Sequence, residues 1–186
     1  MVAEQHKLLA VYLQEYEKLK DEQAQRIGFR DNLPYVMLAL CGTVLAFALG
    51  EKTNLYGFLV LPWLSLVLGW TYLVNGQKIS AIGRYIRYQL VTKVSNSIDK
   101  TNIDIESIFG WEISHRSDVQ RKRCKIEQLI IDEIAFVFSG LAALTVFRYL
   151  VLEPVVAIRL LCLVEFLLLM AFGIELLLYA DLAKRR

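Results

Sequence analysis

The sequence predicts an all-α membrane protein with four transmembrane helices. Three observations indicate this fold class: the 186-residue chain is 56% hydrophobic, its mean hydropathy is +0.43, and its apolar residues form four long runs. The runs cover residues 33–49, 55–74, 134–152 and 155–179. Each approaches the roughly 20 residues that a helix needs to cross about 30 Å of hydrocarbon. A single soluble core of this chain length has no room for four such segments, so we expect lipid around them.

The first 32 residues predict an N-terminal cytoplasmic helix, which we take as a domain of its own (1–32). Its apolar side chains recur mostly at intervals of three and four, as on one face of a helix; they are Leu9, Leu13, Tyr16, Ala24 and Ile27. The opposite face mixes acidic residues with lysines, whereas a helix on a membrane surface is usually more basic. This pattern favours packing against protein, with binding to the membrane surface as the alternative.

Residues 33–74 predict the first transmembrane hairpin, with a very short turn at 51–54. Asp31 and Asn32 precede Leu33 and Pro34, and a capping side chain followed by proline in the first turn is typical of a helix start. We therefore expect a break between the cytoplasmic helix and the first span. Pro62 lies inside the second apolar run, where it predicts a kink that serves packing, with a gating hinge as the alternative.

Residues 75–128 predict a cytoplasmic helical hairpin. The second span continues as a stalk to about Ile98, because apolar residues keep recurring at intervals of three and four; they are Ile79, Ile82, Ile86, Leu90 and Val94. A polar stretch at 99–107 predicts the tip. Ser117 and Gln120 resemble a capping box that starts a second stalk leading into the third span. We expect the two stalks and the N-terminal helix to form a cytoplasmic bundle.

Residues 129–180 predict the second transmembrane hairpin, turning at 152–154, and residues 181–186 a basic tail. Lys and Arg mark the cytoplasmic side of a membrane protein. Five of them precede the first apolar run, one lies between the first and second runs, ten between the second and third, and three follow the fourth. The sequence therefore predicts that both termini are cytoplasmic and that almost no protein lies on the other side.

Composition argues against several function classes. The formal net charge is only +2, which gives no general attraction for nucleic acid. The three cysteines, Cys41, Cys124 and Cys162, form no C-x-x-C pair and predict no disulfide framework. The two histidines, His6 and His115, lack ligand-like neighbours, so we expect no metal site. Signatures of P-loop, dinucleotide-binding and serine-hydrolase proteins are missing, and we expect neither an enzyme nor a cofactor.

Charged residues inside the apolar runs are the sharpest functional candidates, because each is costly in hydrocarbon and normally faces protein or water. Glu165 and Glu175 lie in the fourth span, about 80° apart around the helix. Arg148 in the third span and Arg159 in the fourth lie near the outer edge, where Glu153 could neutralise one of them. These residues predict a pore or cavity lined by the carboxylates, with the arginines at its mouth. The alternative is that Glu165 is a packing residue that fixes helix register.

Three features of the cytoplasmic part predict contacts. Gly83 in a helical stripe would let another helix approach closely. Phe109 and Trp111 lie near the tip and either anchor it in the bundle or contact a partner protein. A basic run just inside the membrane suits anionic lipid headgroups, with a nucleotide messenger as the weaker alternative; its members are Arg121, Lys122, Arg123 and Lys125.

Three segments carry a resemblance to known proteins. EYEKLKDEQAQRIGFRDNL (15–33), KISAIGRYIR (78–87) and FGWE (109–112) resemble a set of small bacterial four-span integral membrane proteins without an assigned activity. The resemblance implies location in the bacterial inner membrane and transfers no catalytic residue. By architecture alone, the chain is also similar to membrane effectors of bacterial antiviral defence, which oligomerise and breach the membrane.

Two functions remain open on the sequence. The first is a homo-oligomeric inner-membrane channel or membrane-perturbing effector, controlled from the cytoplasmic side. The second is a membrane-anchored scaffold or sensor that recruits a soluble cytoplasmic protein through its helical bundle. An intramembrane enzyme or carrier is disfavoured, because four spans without a repeat are few for a carrier.

Overall fold

The computed structural model describes residues 2–50, 52–97 and 121–182. Nearly all of these residues are helical and none lies in a strand, so the predicted all-α class is confirmed. The α-helices are α1 (Val2–Gly50), α2 (Val60–Tyr85), α3 (Val91–Ser97), α4 (Arg121–Asp132), α5 (Ser139–Leu150) and α6 (Val156–Leu182). A 3-10 helix (Lys52–Leu59) precedes α2, and π-helical turns join α2 to α3 (Ile86–Leu90) and α4 to α5 (Glu133–Phe138).

Within the described residues, four helical stretches are long and apolar enough to cross a membrane. They are Gln5–Gly50, Leu55–Ser97, Arg123–Leu150 and Val156–Ala180. Large apolar side chains on all four stretches are exposed, for example Phe47, Val67, Phe138 and Leu167. Such a continuous apolar exterior is unfavourable in water but suits hydrocarbon. This architecture therefore fits the predicted class, a multi-pass membrane protein.

The helix break predicted at Asp31 and Pro34 is wrong. α1 runs without interruption from Val2 to Gly50, with Pro34 inside it. An internal proline removes one backbone hydrogen bond and costs about 3 kcal/mol. In a membrane protein an irregular segment would leave several backbone groups unsatisfied at a higher cost, so the helix continues through the proline.

The kink predicted at Pro62 stays a prediction, and the helix type changes close to this residue. The chain is 3-10 helical up to Leu59 and α-helical from Val60. Pro62 is the third residue of α2, so its missing N–H group lies close to the junction between the two helix types. The proline therefore marks the start of an α-helix. The predicted helical continuation of this span beyond Val74 is confirmed as far as Ser97.

The chain divides into two compact units, and the described residues of the first lie within Met1–Arg30 and Val74–Arg121. Its core contains the buried side chains of Ile86, Leu90 and Val94, and α1 packs against it with Leu9, Tyr12, Tyr16 and Leu19. These α1 positions alternate at intervals of three and four, as in a coiled-coil seam. Leu13, Ala24 and Ile27, predicted on the packed face, are exposed instead, because the contact with the stalk runs through Tyr12 and Leu19 beside the predicted Leu9 and Tyr16.

The second unit comprises Asp31–Leu73 and Lys122–Arg186. Its core contains large apolar side chains from α1, α2, the second π turn, α5 and α6, among them Met37, Leu73, Phe136, Phe147 and Leu169. Two glycines permit the closest helix approaches. A Cβ atom on Gly69 would lie 2.5 Å from Cζ of Phe172, and one on Gly140 would lie 2.8 Å from Cδ1 of Leu169. The helices of this unit therefore pack too closely there for a larger residue.

Candidate functional site

Glu165 is the most unusual polar residue of the second unit. Its side chain is 0% exposed, and neither carboxyl oxygen has a hydrogen-bond partner. The indole of Trp63 is near enough to influence the carboxyl group, but no hydrogen bond of acceptable geometry joins them. Burying a charged or polar group without a partner is costly, so structural packing alone gives no reason for a glutamate here.

The direction of Glu165 follows from the buried face of α6. Leu169, Phe172 and Leu176 are buried, and they lie four, seven and eleven residues after Glu165, on the same face of the helix. Glu175 lies about 80° away and is partly buried, at the edge of this face. Glu165 therefore faces the core of its own unit, a direction that the almost uniformly apolar α6 sequence did not indicate.

Arg148 and Arg159 lie together at the turn between α5 and α6. Both line a groove of about 800 Å³ between these helices. Nη1 of Arg148 donates to the carbonyl oxygen of Leu152 at 2.8 Å, and Nε of Arg159 donates to that of Pro154 at 3.1 Å. Among the described residues, neither arginine forms an ion pair, so Glu153 does not neutralise them as predicted. The groove contains neither Glu165 nor Glu175.

Two groups of polar contacts inside the second unit were missed by the sequence analysis. Oγ of Ser139 donates to the carbonyl oxygen of Ala135 at 2.7 Å and lies 3.2 Å from Oγ of Ser65. Nε2 of Gln128 donates both to the hydroxyl of Tyr72 at 2.7 Å and to Oδ1 of Asp132 at 3.0 Å. The spacing of four between Gln128 and Asp132 was the available signal.

The acidic pair Asp132 and Glu133 lies where α4 meets the second π-helical turn. Asp132 is only 6% exposed. Oε1 of Glu133 is buried without a hydrogen-bond partner, and Oε2 lies 3.3 Å from the position of a Cβ atom on Gly173. The π-helical turn begins at Glu133, and its wider turn changes the direction in which the residues after Asp132 point.

In the first unit, polar contacts connect α1 to the stalk that extends α2. The hydroxyl of Tyr85 donates to Oε1 of Glu15 at 2.6 Å, and Nζ of Lys93 donates to that hydroxyl at 3.0 Å.

Gly83 is buried, but a Cβ atom there would make only an ordinary contact of 3.6 Å with Nε2 of Gln23. A larger residue than glycine would therefore also fit at this position.

The remaining predicted contact residues are only partly described. Phe109, Trp111 and the predicted capping box lie outside the described residues. Arg121 and Lys122 begin α4, which also carries Arg123 and Lys125. Nε of Arg123 pairs with Oε1 of Glu127 at 2.7 Å, and this ion pair partly neutralises the basic run expected to meet lipid headgroups.

Comparisons with known proteins add no assignment to these residues. No protein-family model, curated protein or solved structure matches the chain. Among the described residues, no cluster of three or more His, Cys, Asp or Glu side chains could hold a metal ion. The function must therefore be argued from Glu165, from the arginine groove and from the two helical units.

Proposed function

We propose that the protein is a homo-oligomeric channel or membrane-perturbing effector of the bacterial inner membrane, controlled from the cytoplasmic side. The observation that carries this proposal is the side chain of Glu165, a carboxyl group buried in a membrane span without a hydrogen-bond partner. Ionisable groups inside membrane spans are expensive and commonly belong to ion or proton pathways. The energetic cost of burying an unpartnered carboxyl group falls if a helix rearrangement brings it into contact with water, an ion or another subunit.

The proposed architecture has two transmembrane hairpins and a cytoplasmic helical bundle. A Cβ atom on Gly57 would lie 3.1 Å from the ring of Phe47, which supports the first hairpin. The short connection between Leu150 and Val156 supports the second. The seam between α1 and the stalk supports the bundle, and the distribution of Lys and Arg supports its cytoplasmic location.

Control from the cytoplasm would act through α1. This helix runs without a break from residues of the first unit into residues of the second. A ligand or partner that shifts the seam of the first unit would therefore act on a helix that also packs into the core of the second. Because tightly packed cores switch between discrete arrangements rather than deforming continuously, we propose that the arrangement described here is the closed one.

Electrophysiology in planar bilayers tests this proposal. The purified full-length protein is expected to conduct ions, and Glu165→Gln is expected to lower its conductance or cation selectivity by about tenfold, which corresponds to about 1.4 kcal/mol in the energy of the ion. The matched variant is Glu17→Gln, which removes an exposed carboxylate from the first unit. Absence of conductance under all conditions, or equal effects of both substitutions, would contradict the role of Glu165.

The scaffold function is the second candidate, and the surface of the first unit favours it. Leu8, Val11 and Tyr88 are exposed there, and exposed apolar residues on a cytoplasmic bundle suit a protein partner. Affinity purification separates the two functions. A soluble partner that is lost with Trp111→Ala but kept with Trp70→Ala, in a protein without ion flux, would support the scaffold. A partner that both variants keep would remove Trp111 as the contact.

A further inference from the structure

The groove between α5 and α6 has a polar end and an apolar length. Its α5 wall consists of residues spaced three, four or seven apart, including Leu141, Leu144 and Arg148, and its α6 wall repeats this spacing with Arg159, Leu163 and Phe166. Each wall is therefore one face of a helix, about two turns or 10 Å long. Both arginines lie at the end next to the α5–α6 turn, and the other end is apolar.

The two arginines retain hydrogen-bonding capacity in that position. A guanidinium group has five N–H donors. The bonds to the turn carbonyls use only Nη1 of Arg148 and Nε of Arg159. Among the described residues, no carboxylate pairs with either of them. Two positive charges with unused donors thus lie at one end of an otherwise apolar groove.

The neighbouring aromatic residue indicates the depth of this end in the membrane. Tyr149 also lines the groove and is 80% exposed. Tyrosine and arginine are both enriched where hydrocarbon meets the headgroup layer. In a bilayer, the arginines would therefore lie at the level of lipid phosphates, while the leucines and Phe166 would extend toward the bilayer centre.

We propose that this groove is a specific binding site for an anionic phospholipid. The phosphate would bind both guanidinium groups, which match its geometry with paired hydrogen bonds. One acyl chain would lie along the apolar walls. The cavity volume of about 800 Å³ falls within the usual size of small-molecule sites. This site is independent of the proposed conduction through Glu165, which the groove does not contain.

Native mass spectrometry of the full-length protein, released from nanodiscs of equimolar phosphatidylglycerol and phosphatidylcholine, tests the site. We expect one phosphatidylglycerol molecule to remain bound per chain. The double variant Arg148→Gln with Arg159→Gln should reduce its retention at least about tenfold, since each charged hydrogen bond contributes strongly. The matched control is Lys18→Gln with Arg84→Gln, which removes the same charge from exposed positions outside the groove and should keep the lipid.

A second pair of variants covers the case in which the arginine variant fails to fold, because its side chains also hold the turn. Leu163→Trp would fill the groove without changing a charge, and Leu167→Trp would place the same bulk on the exposed face of α6 outside it. We expect only Leu163→Trp to lose the lipid. Equal retention by both tryptophan variants, equal retention of phosphatidylcholine, or complete displacement of the lipid by inorganic phosphate would overturn the proposal.

Discussion

Among the glycines of the described residues, Gly69 and Gly140 of the second unit leave the least space for a side chain. Gly69 faces the ring of Phe172 and Cβ of Phe136 at distances that a larger residue cannot keep. Gly42 has no atom within 4 Å of its missing Cβ, although both glycines lie in helices. The same residue type therefore has opposite consequences at the two positions, and only the structure distinguishes them.

This contrast predicts the effects of two alanine substitutions on thermal unfolding in detergent. Gly69→Ala should destabilise the protein by about 1–3 kcal/mol, because the new methyl group overpacks the core. Gly42→Ala should be neutral or stabilise the protein by up to about 1 kcal/mol, because alanine favours the helix. Equal melting temperatures for both variants would show that Phe172 moves aside without cost.

At the level of elements, the long apolar spans could be predicted because length and composition suffice to recognise them. Three features of these elements could not be predicted from the sequence. The continuity of α1 through Pro34 depends on the cost of an irregular backbone in lipid. In the 3-10 and π-helical segments, the backbone hydrogen bonds span one residue fewer or one more than in an α-helix. The spacing of apolar residues does not resolve so small a difference. The buried face of α6 has no polar opposite side, so periodicity could not show that Glu165 faces inward.

The seam of α1 yields a prediction at this scale. Leu19 packs against the core of the first unit, whereas Leu13 is 43% exposed. Leu19→Ala should therefore lower the free energy of unfolding by about 2 kcal/mol, and Leu13→Ala should change it by less than about 0.5 kcal/mol. Urea denaturation in detergent, followed by circular dichroism, measures both changes. If Leu13→Ala lowered the free energy of unfolding more than Leu19→Ala, Leu13 would belong to the packed face, as the sequence predicted.

For the whole molecule, the sequence predicted more of the architecture than of the site. The four spans and the charged segments between them followed from the partition of residues between water and lipid. The charged residues inside the apolar stretches could be recognised in the sequence, but their surroundings could not. Arg148 and Arg159 proved to be groove residues that hold turn carbonyls, because these contacts depend on how α5 and α6 meet.

The native cysteines allow the membrane orientation to be tested. Cys124 is exposed and lies on the predicted cytoplasmic side, so a membrane-impermeant maleimide should label it only after spheroplasts are lysed. Glu153→Cys, introduced together with Cys124→Ala, should react before lysis, because Glu153 lies at the turn predicted to face outward. Labelling of Cys124 in intact spheroplasts would contradict the predicted orientation, because it would show that Cys124 lies on the outer side.

The 49 residues of α1 correspond to a helix of about 73 Å, which exceeds the hydrocarbon thickness by about 40 Å. In the proposed membrane arrangement, the apolar end of this unbroken helix would lie in the bilayer and the rest would extend beyond the hydrocarbon. Each degree of tilt within the lipid would then displace the far end of this extension by about 0.7 Å. Changes in bilayer thickness or tension, which alter the tilt of spans, would therefore reach the aqueous end of α1 as a magnified movement.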